Sequence, residues 1–379
     1  MTAPQSIANT KWAIPQSILS PMPPLTVGDH APWFILPSHP DILMGGYRSV
    51  LFFFGSASQN EQIRSLLSSF AGARADLAKV GISFFGVSID PNDKSLESQL
   101  PTDDRFQLLW DFQGDLSIRY GVLDSEAKGG VRYDPTTFIL DENLRVLAAI
   151  PLTMHQNHLI QVLSTVYGLP NRDPPRLVSR QAPVLLVPQV FPPSFCRHLI
   201  QLYATDGGTD SGFMQQTGEK TAIVLDPKVK RRRDLLLTDP TLVGQINYLI
   251  WQRVQPEIEK AFQFRVTRYE RYTVACYEAQ NQGFFRAHRD NTTTGSAHRR
   301  FAMTLNLNTG EYEGGCLHFP EYSTDRYSPG IGDALIFSCS LLHEATPVTQ
   351  GKRFVLLSFF FNDEDAKLRA QTQQQIVRE

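Results

Sequence analysis

Cysteine is scarce in this 379-residue sequence, and its positions exclude several classes of protein. Only four cysteines occur, at positions 196, 276, 316 and 339, and no two of them form a CxxC pair. A disulfide framework and a cysteine zinc site are excluded, because both need closely spaced cysteines. The pattern is typical of reduced thiols, so we expect a cytoplasmic protein.

Long apolar runs and an excess of charge of one sign are also missing. The N-terminus lacks the apolar segment of a signal peptide, and no run approaches the roughly 18 apolar residues that span a bilayer. Lysine and arginine number 36 against 38 aspartates and glutamates, so we expect neither nucleic acid nor a membrane surface as a partner. The one basic run, Lys228–Arg233, is interpreted as a solvated loop.

What the chain does contain is enough apolar material for two domains, since hydrophobic residues make up 42% of it. Composition and periodicity predict five segments along the sequence. These are a polar arm over 1–24, an α/β domain over 25–168, a proline-rich linker over 169–183, a strand-rich domain over 184–364 and a polar tail over 365–379.

The first domain alternates buried strands with helical patterns, which predicts an α/β fold with a mixed sheet. The predicted strands include 49–54 and 82–89, the predicted helices 59–80 and 155–167, and a hairpin is predicted over 136–150. Together with the segments W-D-F-Q-G-D-L and D-P-T-T-F-I-L-D, this order resembles the thioredoxin fold and its peroxiredoxin branch. The resemblance implies that Pro135 is a cis-proline.

One departure from the peroxiredoxins concerns the loop G-S-A-S-Q-N-E, Gly55 to Glu61. The family carries its redox cysteine there, at a helix N-terminus that stabilises the thiolate. Here Ser58 lies near that position, and a hydroxyl cannot perform thiolate redox chemistry. We therefore expect a redox-inactive domain that serves in docking, positioning or dimerisation, including a possible homodimer.

The second domain begins with helical patterns, near 193 and over 240–262, and then becomes rich in short strands, which predicts a sandwich or jelly roll. His288 and Asp290 are two residues apart, so on an extended chain both side chains point to the same side. His343 follows 53 residues after Asp290, and Arg353 ten residues after His343. Two histidines and one carboxylate with open positions form the ligand set of non-haem Fe(II) oxygenases. A buried arginine needs an anion as its partner, and Tyr277 could donate a second hydrogen bond to that anion.

These residues stand in a longer pattern: Tyr277, His288-x-Asp290, E-G-G-x-L-x-F, P-x-x-G-D-A-L-x-F and H-x-x-x-P-V-x-x-G-x-R ending at Arg353. The pattern resembles the prolyl 4-hydroxylase-like Fe(II)/2-oxoglutarate dioxygenases over about residues 184–362. The resemblance implies a double-stranded β-helix (jelly roll) with His288, Asp290 and His343 as iron ligands. It also implies that Arg353 binds 2-oxoglutarate with help from Tyr277, and that O₂ and ascorbate take part. Ala302, Thr304 and Asn306 alternate on one strand and are expected to line the cosubstrate pocket.

We therefore expect a hydroxylase that acts on a prolyl residue of a protein or peptide, or on a small amino-acid-like metabolite. The segments 206–233 and 291–299 are expected to select the substrate, and Arg286 and Arg289 either bind an anionic substrate or are solvated. His298 and His318 are interpreted as structural. Two other functions remain open, a non-catalytic interaction module and a thiol peroxidase with an accessory domain.

Overall fold

The computed structural model describes residues 23–34, 44–125, 131–153, 157–218, 220–372 and 376–378. These residues form two compact units, which are divided along the chain between Pro175 and Arg176. Most of the arm predicted over 1–24 lies outside the described residues. Within the described ranges, no helix is both long and apolar enough to cross a membrane.

The first unit alternates strands with helices, as its hydrophobic pattern predicts. Its strands are β1 (Arg48–Gly55), β2 (Ile82–Ser88), β3 (Phe106–Trp110), β4 (Leu123–Asp124), β5 (Arg132–Tyr133), β6 (Thr136–Leu140) and β7 (Val146–Pro151). Its helices are α1 (Glu61–Gly72), α2 (Arg74–Lys79), α3 (Asp115–Arg119) and α4 (His158–Tyr167), with a 3₁₀ helix over Pro91–Ser98.

A mixed five-stranded sheet in the order β3-β2-β1-β6-β7 forms the centre of this unit. Strand β1 runs parallel to β2 and antiparallel to β6. Because side chains alternate along a strand, Phe52 and Phe54 pack with α1 and α4, while Leu51 and Phe53 pack with Tyr120 on the other face. Each of these side chains is almost fully buried, which stabilises the sheet by roughly 1.5–3 kcal/mol per side chain.

Two local predictions for this unit are wrong. The helix predicted over 59–80 is two helices, because Gly72 ends α1 and Ala73 turns the chain with φ −84° and ψ 0°. Pro135 is in the trans form. The trans form is the more stable one by about 0.5–1 kcal/mol. Hydrogen bonds from Asp134 N–H to Val122 O and from Leu152 N–H to Pro135 O fix the chain on both sides of it.

The second unit is rich in short strands. They are β8 (Leu185–Val187), β9 (Thr209–Asp210), β10 (Phe213–Thr217), β11 (Lys220–Val224), β12 (Lys230–Arg231), β13 (Arg233–Leu236), β14 (Arg268–Tyr269), β15 (Thr273–Glu278), β16 (Phe284–His288), β17 (Phe301–Asn306), β18 (Tyr312–Gly314), β19 (Leu317–His318), β20 (Arg326–Tyr327), β21 (Ala334–Ser338), β22 (His343–Ala345), β23 (Val348–Phe361) and β24 (Ile376–Arg378). The helices are α5 (Pro193–Asp206), α6 (Pro240–Arg253), α7 (Gln255–Phe262) and α8 (Asp363–Thr372).

Two sheets of this unit matter for the site. The larger has the order β8-β21-β17-β23-β15-β13-β9, and we call it the major sheet. The smaller has the order β12-β16-β22-β19-β20, and we call it the minor sheet. In the major sheet, β17 pairs with β21 and β23, and β23 pairs with β15. All three pairs are antiparallel, as expected for a sandwich.

Strand β17 shows how the major sheet separates core from site. Phe301, Met303 and Leu305 pack in one hydrophobic cluster with residues of α5, α6 and α7. The alternate residues Ala302 and Thr304 face a cavity on the other side. The helices therefore cover one face of the sheet and leave the other face to the site.

One further prediction is corrected in the second unit. The helix predicted over 240–262 breaks at Val254, because Pro256 stands in the first turn of α7 and cannot continue α6. Helix α8 reaches from Asp363 to Thr372, into the segment predicted as a polar tail. Arg300, the residue before β17, donates hydrogen bonds to Asp365 near the start of this helix.

Candidate functional site

A cavity of about 330 Å³ lies between the major and minor sheets of the second unit. Thr273, Tyr277 and Thr304 contribute to one wall from the major sheet, and Phe285 and Ala345 to the other from the minor sheet. The charged and imidazole side chains that line it are those of Lys230, Arg232, Asp234, Arg271, His288, Arg289, Asp290, Arg299 and His343. A polar cavity of this kind inside a sandwich is a candidate binding site.

The geometry brings His288, Asp290 and His343 together, as the sequence predicts. One donor atom from each residue lies within 4.8 Å of the other two. Asp290 Oδ1 lies 3.5 Å from His288 Nε2, and Asp290 Oδ2 lies 3.4 Å from His343 Nε2. Because β16 and β22 pair with His288 opposite His343, the sheet register itself places the two imidazoles side by side.

Hydrogen bonds fix the tautomer of both imidazoles. His288 Nδ1 donates to the carbonyl of Arg286 at 2.7 Å, and His343 Nδ1 donates to the carbonyl of Leu341 at 3.0 Å. Since a carbonyl only accepts, each Nδ1 carries the proton and each Nε2 keeps its lone pair for a metal. Such outer hydrogen bonds are what orient metal-binding histidines.

The electrostatics of the cluster also suit a cation. Burial alone would raise the pKa of Asp290, but His343, His288 and Arg299 together hold it below its usual range. Burial lowers the pKa of His343 to about 4. A carboxylate and a neutral imidazole are the protonation states that bind a divalent metal.

The four residues predicted to bind the cosubstrate occupy two positions. Tyr277 and Thr304 line the cavity. Arg353 and Asn306 lie on the same face of the sheet, beyond the lining, where Arg353 Nη2 donates to Asn306 Oδ1 at 3.3 Å. Arg353 is opposite Tyr277 in the strand register, with its guanidinium 5.3 Å from the centre of the Tyr277 ring.

Arg353 carries a charge that the described residues leave uncompensated. The side chain is 2% exposed and its Nε has no hydrogen-bond partner. No carboxylate of the described chain lies within ion-pair distance of it. Because a buried charge without a counterion is costly, this guanidinium fits a site for an anion.

The basic run at 228–233 is not a solvated loop. Lys230 and Arg232 point inward and line the cavity, with Lys230 only 7% exposed. Arg232 forms a bidentate ion pair with Asp234, with both N–O distances 2.7 Å, and donates to Tyr277 Oη at 3.3 Å. Basic residues occupy position 228 and all of 230–233, so the sequence carries no alternation that would have marked Lys230 and Arg232 as buried.

A buried cluster of charged side chains lies beside His288, Asp290 and His343. Glu270 pairs with Arg299 at 2.8 Å and with Arg271 at 3.3 Å, and the charges of these arginines outweigh burial and hold the pKa of Glu270 below its usual range. Arg299 also donates to the Asp290 carbonyl at 3.3 Å and covers the ring of Phe359. The cluster therefore fixes the chain that carries Asp290.

Known families match both units. Residues 272–361 match the 2OG-Fe(II) oxygenase superfamily, a range that contains Tyr277, His288, Asp290, His343 and Arg353. The second unit therefore contains a 2OG-Fe(II) oxygenase domain. Residues 27–149 match the AhpC/TSA family, so the first unit is a peroxiredoxin-like domain. No curated protein matches the chain. The oxygenase superfamily implies Fe(II), 2-oxoglutarate and O₂ as reactants.

Solved structures are similar to each unit separately. A prolyl hydroxylase from Trichoplax adhaerens, solved with a hypoxia-inducible-factor peptide, is 17% identical over 50% of this chain and 86% of its own, with a TM-score of 0.39. A Pseudomonas putida prolyl-4-hydroxylase is 16% identical over 48% and 93%, with a TM-score of 0.37. Peroxidoxin BcpB from Mycobacterium tuberculosis is 25% identical over 39% and 99%, with a TM-score of 0.33. The strand orders of the two units and the two family matches confirm the predicted thioredoxin-like and jelly-roll folds.

In the peroxiredoxin-like domain of the oxygenase, two carboxylates fill the loop where the family carries its cysteine. Asp93 accepts hydrogen bonds from the backbone N–H groups of Ala57 and Ser58, at 2.8 and 2.6 Å. Asp90 accepts from the hydroxyls of Ser56 and Ser58, and these bonds lower its pKa to about 2. The donors that could stabilise a thiolate or a peroxide are thus already used.

The remaining residues singled out in the sequence lie in different environments. His318 is structural, with Nδ1 2.8 Å from Glu344. His298 is buried: it is 1% exposed, neither ring nitrogen has a hydrogen-bond partner, and burial lowers its pKa to about 4. Arg289 lines the cavity and pairs with Glu321 at 2.6 Å, whereas Arg286 donates to the Lys228 carbonyl. All four cysteines are free thiols.

Proposed function

We propose that this oxygenase hydroxylates a prolyl residue of a protein or peptide, or a small amino-acid-like metabolite, with 2-oxoglutarate as cosubstrate and ascorbate as reductant. The observation that carries the proposal is the His288–Asp290–His343 cluster, in which both imidazole Nε2 atoms are free and face one carboxylate inside a cavity. This set of donors fits Fe(II), because a facial triad leaves positions open for other ligands.

His288, Asp290 and His343 hold the metal in this proposal, and Arg353 binds the distal carboxylate of 2-oxoglutarate. The unpartnered Nε of Arg353 supports that role, and Tyr277, Thr304 and Asn306 surround the same cosubstrate position. When bound, iron and O₂ supply the oxidation that links decarboxylation of 2-oxoglutarate to hydroxylation of a C–H bond.

The protein's own groups orient and shield the reactants. Each Nδ1 keeps its proton and donates it to the Arg286 or Leu341 carbonyl, so neither imidazole releases a proton when its Nε2 binds a metal. Phe285 stacks on His288 at 3.6 Å between ring centres, and Phe337 lies 4.6 Å from His343. These rings keep water from the back of the ligand set.

The rest of the proposal concerns the setting of the site. The oxygenase domain extends over 184–364, and the peroxiredoxin-like domain over 25–168 is redox-inactive and provides a docking or dimerisation surface. The filled loop at Ser58 supports the loss of peroxidase chemistry. We also propose a cytoplasmic location, in line with the four free thiols.

Succinate release from 2-oxoglutarate tests this function. The full-length protein with Fe(II), ascorbate and O₂ is expected to form succinate, and profiling of peptides and metabolites for a gain of one oxygen is expected to identify the product. His288→Ala should abolish both metal binding and succinate formation. A protein that neither binds Fe(II) nor forms succinate would instead support a non-catalytic interaction module. Peroxide consumption with a thiol reductant would support the peroxidase alternative.

A further inference from the structure

Two buried cations of the oxygenase domain lack a carboxylate of their own. One is Arg353 on the major sheet, which the proposed function assigns to 2-oxoglutarate. The other is Lys230 on the minor sheet, which lines the cavity itself. Lys230 forms no ion pair with any residue in the described part of the chain.

The contacts of Lys230 solvate its ammonium group without neutralising it. Its Nζ donates to Ser211 Oγ at 2.7 Å and to the Gly212 carbonyl at 2.6 Å, and it lies 4.9 Å from the centre of the Phe285 ring. An ammonium has three donors, so one remains. Burial, and after it the positive charge of Arg232, lowers the pKa of Lys230 well below its usual value.

The neighbouring charges do not supply that counterion. Asp234 is the nearest carboxylate in the hydrogen-bond network, which it joins through Ser211, but both of its oxygens already pair with Arg232. Arg271 and Arg299, which also line the cavity, share Glu270. These four cations therefore share two carboxylates, and with Asp290 assigned to the metal the lining keeps an excess of positive charge.

2-Oxoglutarate does not account for this excess. Under the proposed function, one of its carboxylates binds the metal and the other binds Arg353. The position at Lys230 is left for a third anionic group, and only the substrate remains to provide it. A substrate anion there would regain the Coulomb energy that a buried, unpaired ammonium lacks.

We infer that the substrate carries a carboxylate that pairs with Lys230, within a few bonds of the carbon that is hydroxylated. Phe213, Met214 and Val229 line the cavity beside Lys230, so an apolar body adjoins that carboxylate. The cavity volume of about 330 Å³ limits the distance between carboxylate and metal. The inference rests on the proposed function and makes it more specific: a free acid, or a peptide whose carboxylate enters the cavity, satisfies it.

Pairs of ligands that differ only in charge test the inference. The full-length protein is loaded with Mn(II) and 2-oxoglutarate without O₂, and binding is measured by calorimetry. The probes are N-acetyl-L-proline against its amide, and the peptide acetyl-Ala-Ala-Pro with a free against an amidated C-terminus. At least one acid is expected to bind roughly tenfold or more tightly than its amide. The pair that shows the preference identifies the source of the carboxylate.

Three variants assign the preference to Lys230. Lys230→Met is expected to remove the preference for the acid over the amide. It should weaken binding of the acid at least tenfold more than binding of 2-oxoglutarate, whereas Arg353→Met should weaken binding of 2-oxoglutarate more than binding of the acid. Lys230→Arg should retain the preference. Lys228→Met is the matched control, because Lys228 is exposed on the same segment and does not line the cavity.

Absence of a preference in both pairs, whether or not the probes bind, would overturn the inference. The inference would also be overturned if Lys230→Met still bound the acid more tightly than the amide, or if the substitution weakened binding of 2-oxoglutarate more than binding of the acid. If the wild-type protein fails to bind 2-oxoglutarate at all, the proposed function itself is refuted, and the inference with it.

Discussion

Replacement of Arg353 by methionine is expected to uncouple the protein from 2-oxoglutarate without unfolding it. In the ligand-free protein the guanidinium has a buried Nε without a partner, and its loss recovers about 1–3 kcal/mol. The same change removes the contact with the Tyr277 ring, which is worth about 0.5–2 kcal/mol. The two effects offset each other, so the melting temperature without ligand should change by only a few degrees.

The ligand-bound protein should respond very differently. A guanidinium that holds a carboxylate by two charge-assisted bonds contributes about 3–5 kcal/mol, so the variant should bind 2-oxoglutarate about 10²- to 10³-fold more weakly. At a concentration 100 times the dissociation constant, 2-oxoglutarate stabilises the wild type by about 2.7 kcal/mol. For a unit of about 200 residues this raises the melting temperature by about 5–10 °C. The variant should gain less than about 2 °C at the same concentration.

Thermal unfolding with Mn(II), with and without 2-oxoglutarate, measures both effects in one experiment. Lys352→Met is the matched control: Lys352 is the neighbouring residue, it is exposed, and it pairs with Glu278 at 2.8 Å. The control should keep the full shift. A full shift in Arg353→Met, or a collapse of its ligand-free melting temperature, would refute the reasoning that this charge is held for an anion.

Three further predictions concern other residues. His288→Ala should abolish Mn(II) binding by calorimetry, whereas His318→Gln should bind normally; equal binding by both variants would contradict the ligand assignment. The folded pKa of His298, about 4, lies below the unfolded value near 6.5, so stability is full above pH 6.5 and is lost as pH falls towards 4. At pH 5 the free energy of unfolding is lower by about 2 kcal/mol than above pH 6.5, and urea unfolding of His298→Leu should not show this decrease. Ser58→Cys should consume no peroxide with a thiol reductant, because two carboxylates occupy the loop; rapid turnover would disprove that explanation.

The metal-type ligands could be predicted because their placement depends on local rules and on one recognisable pattern. His288 and Asp290 share a side of the chain through the two-residue period of a strand. His343 depends on the pairing of β16 with β22, which no local rule gives, and the wider oxygenase pattern supplied it. The jelly roll followed in the same way from short strands and their turns.

What the sequence did not reveal depends on contacts between distant segments. Lys230 belongs to a run that looks solvated, and its burial follows from the pairing of β12 with β16 and from the loop at Ser211. The hydrogen bond from Ala57 N–H to Asp93 joins residues 36 apart. By contrast, the break at Val254 was readable, because Pro256 has no N–H to donate to the carbonyl four residues earlier and is tolerated only in the first turn of a helix.

The two anion positions lie on strands of very different length. Arg353 is on β23, which has 14 residues and pairs with both β15 and β17 in the middle of the major sheet. Lys230 is on β12, a two-residue strand at the edge of the minor sheet. Amide protons of such a central strand exchange with solvent only when the sheet unfolds, whereas a short edge strand opens locally. Under the proposed roles of Arg353 and Lys230, the cosubstrate end of the cavity would be preformed, and local opening would be confined to the substrate end.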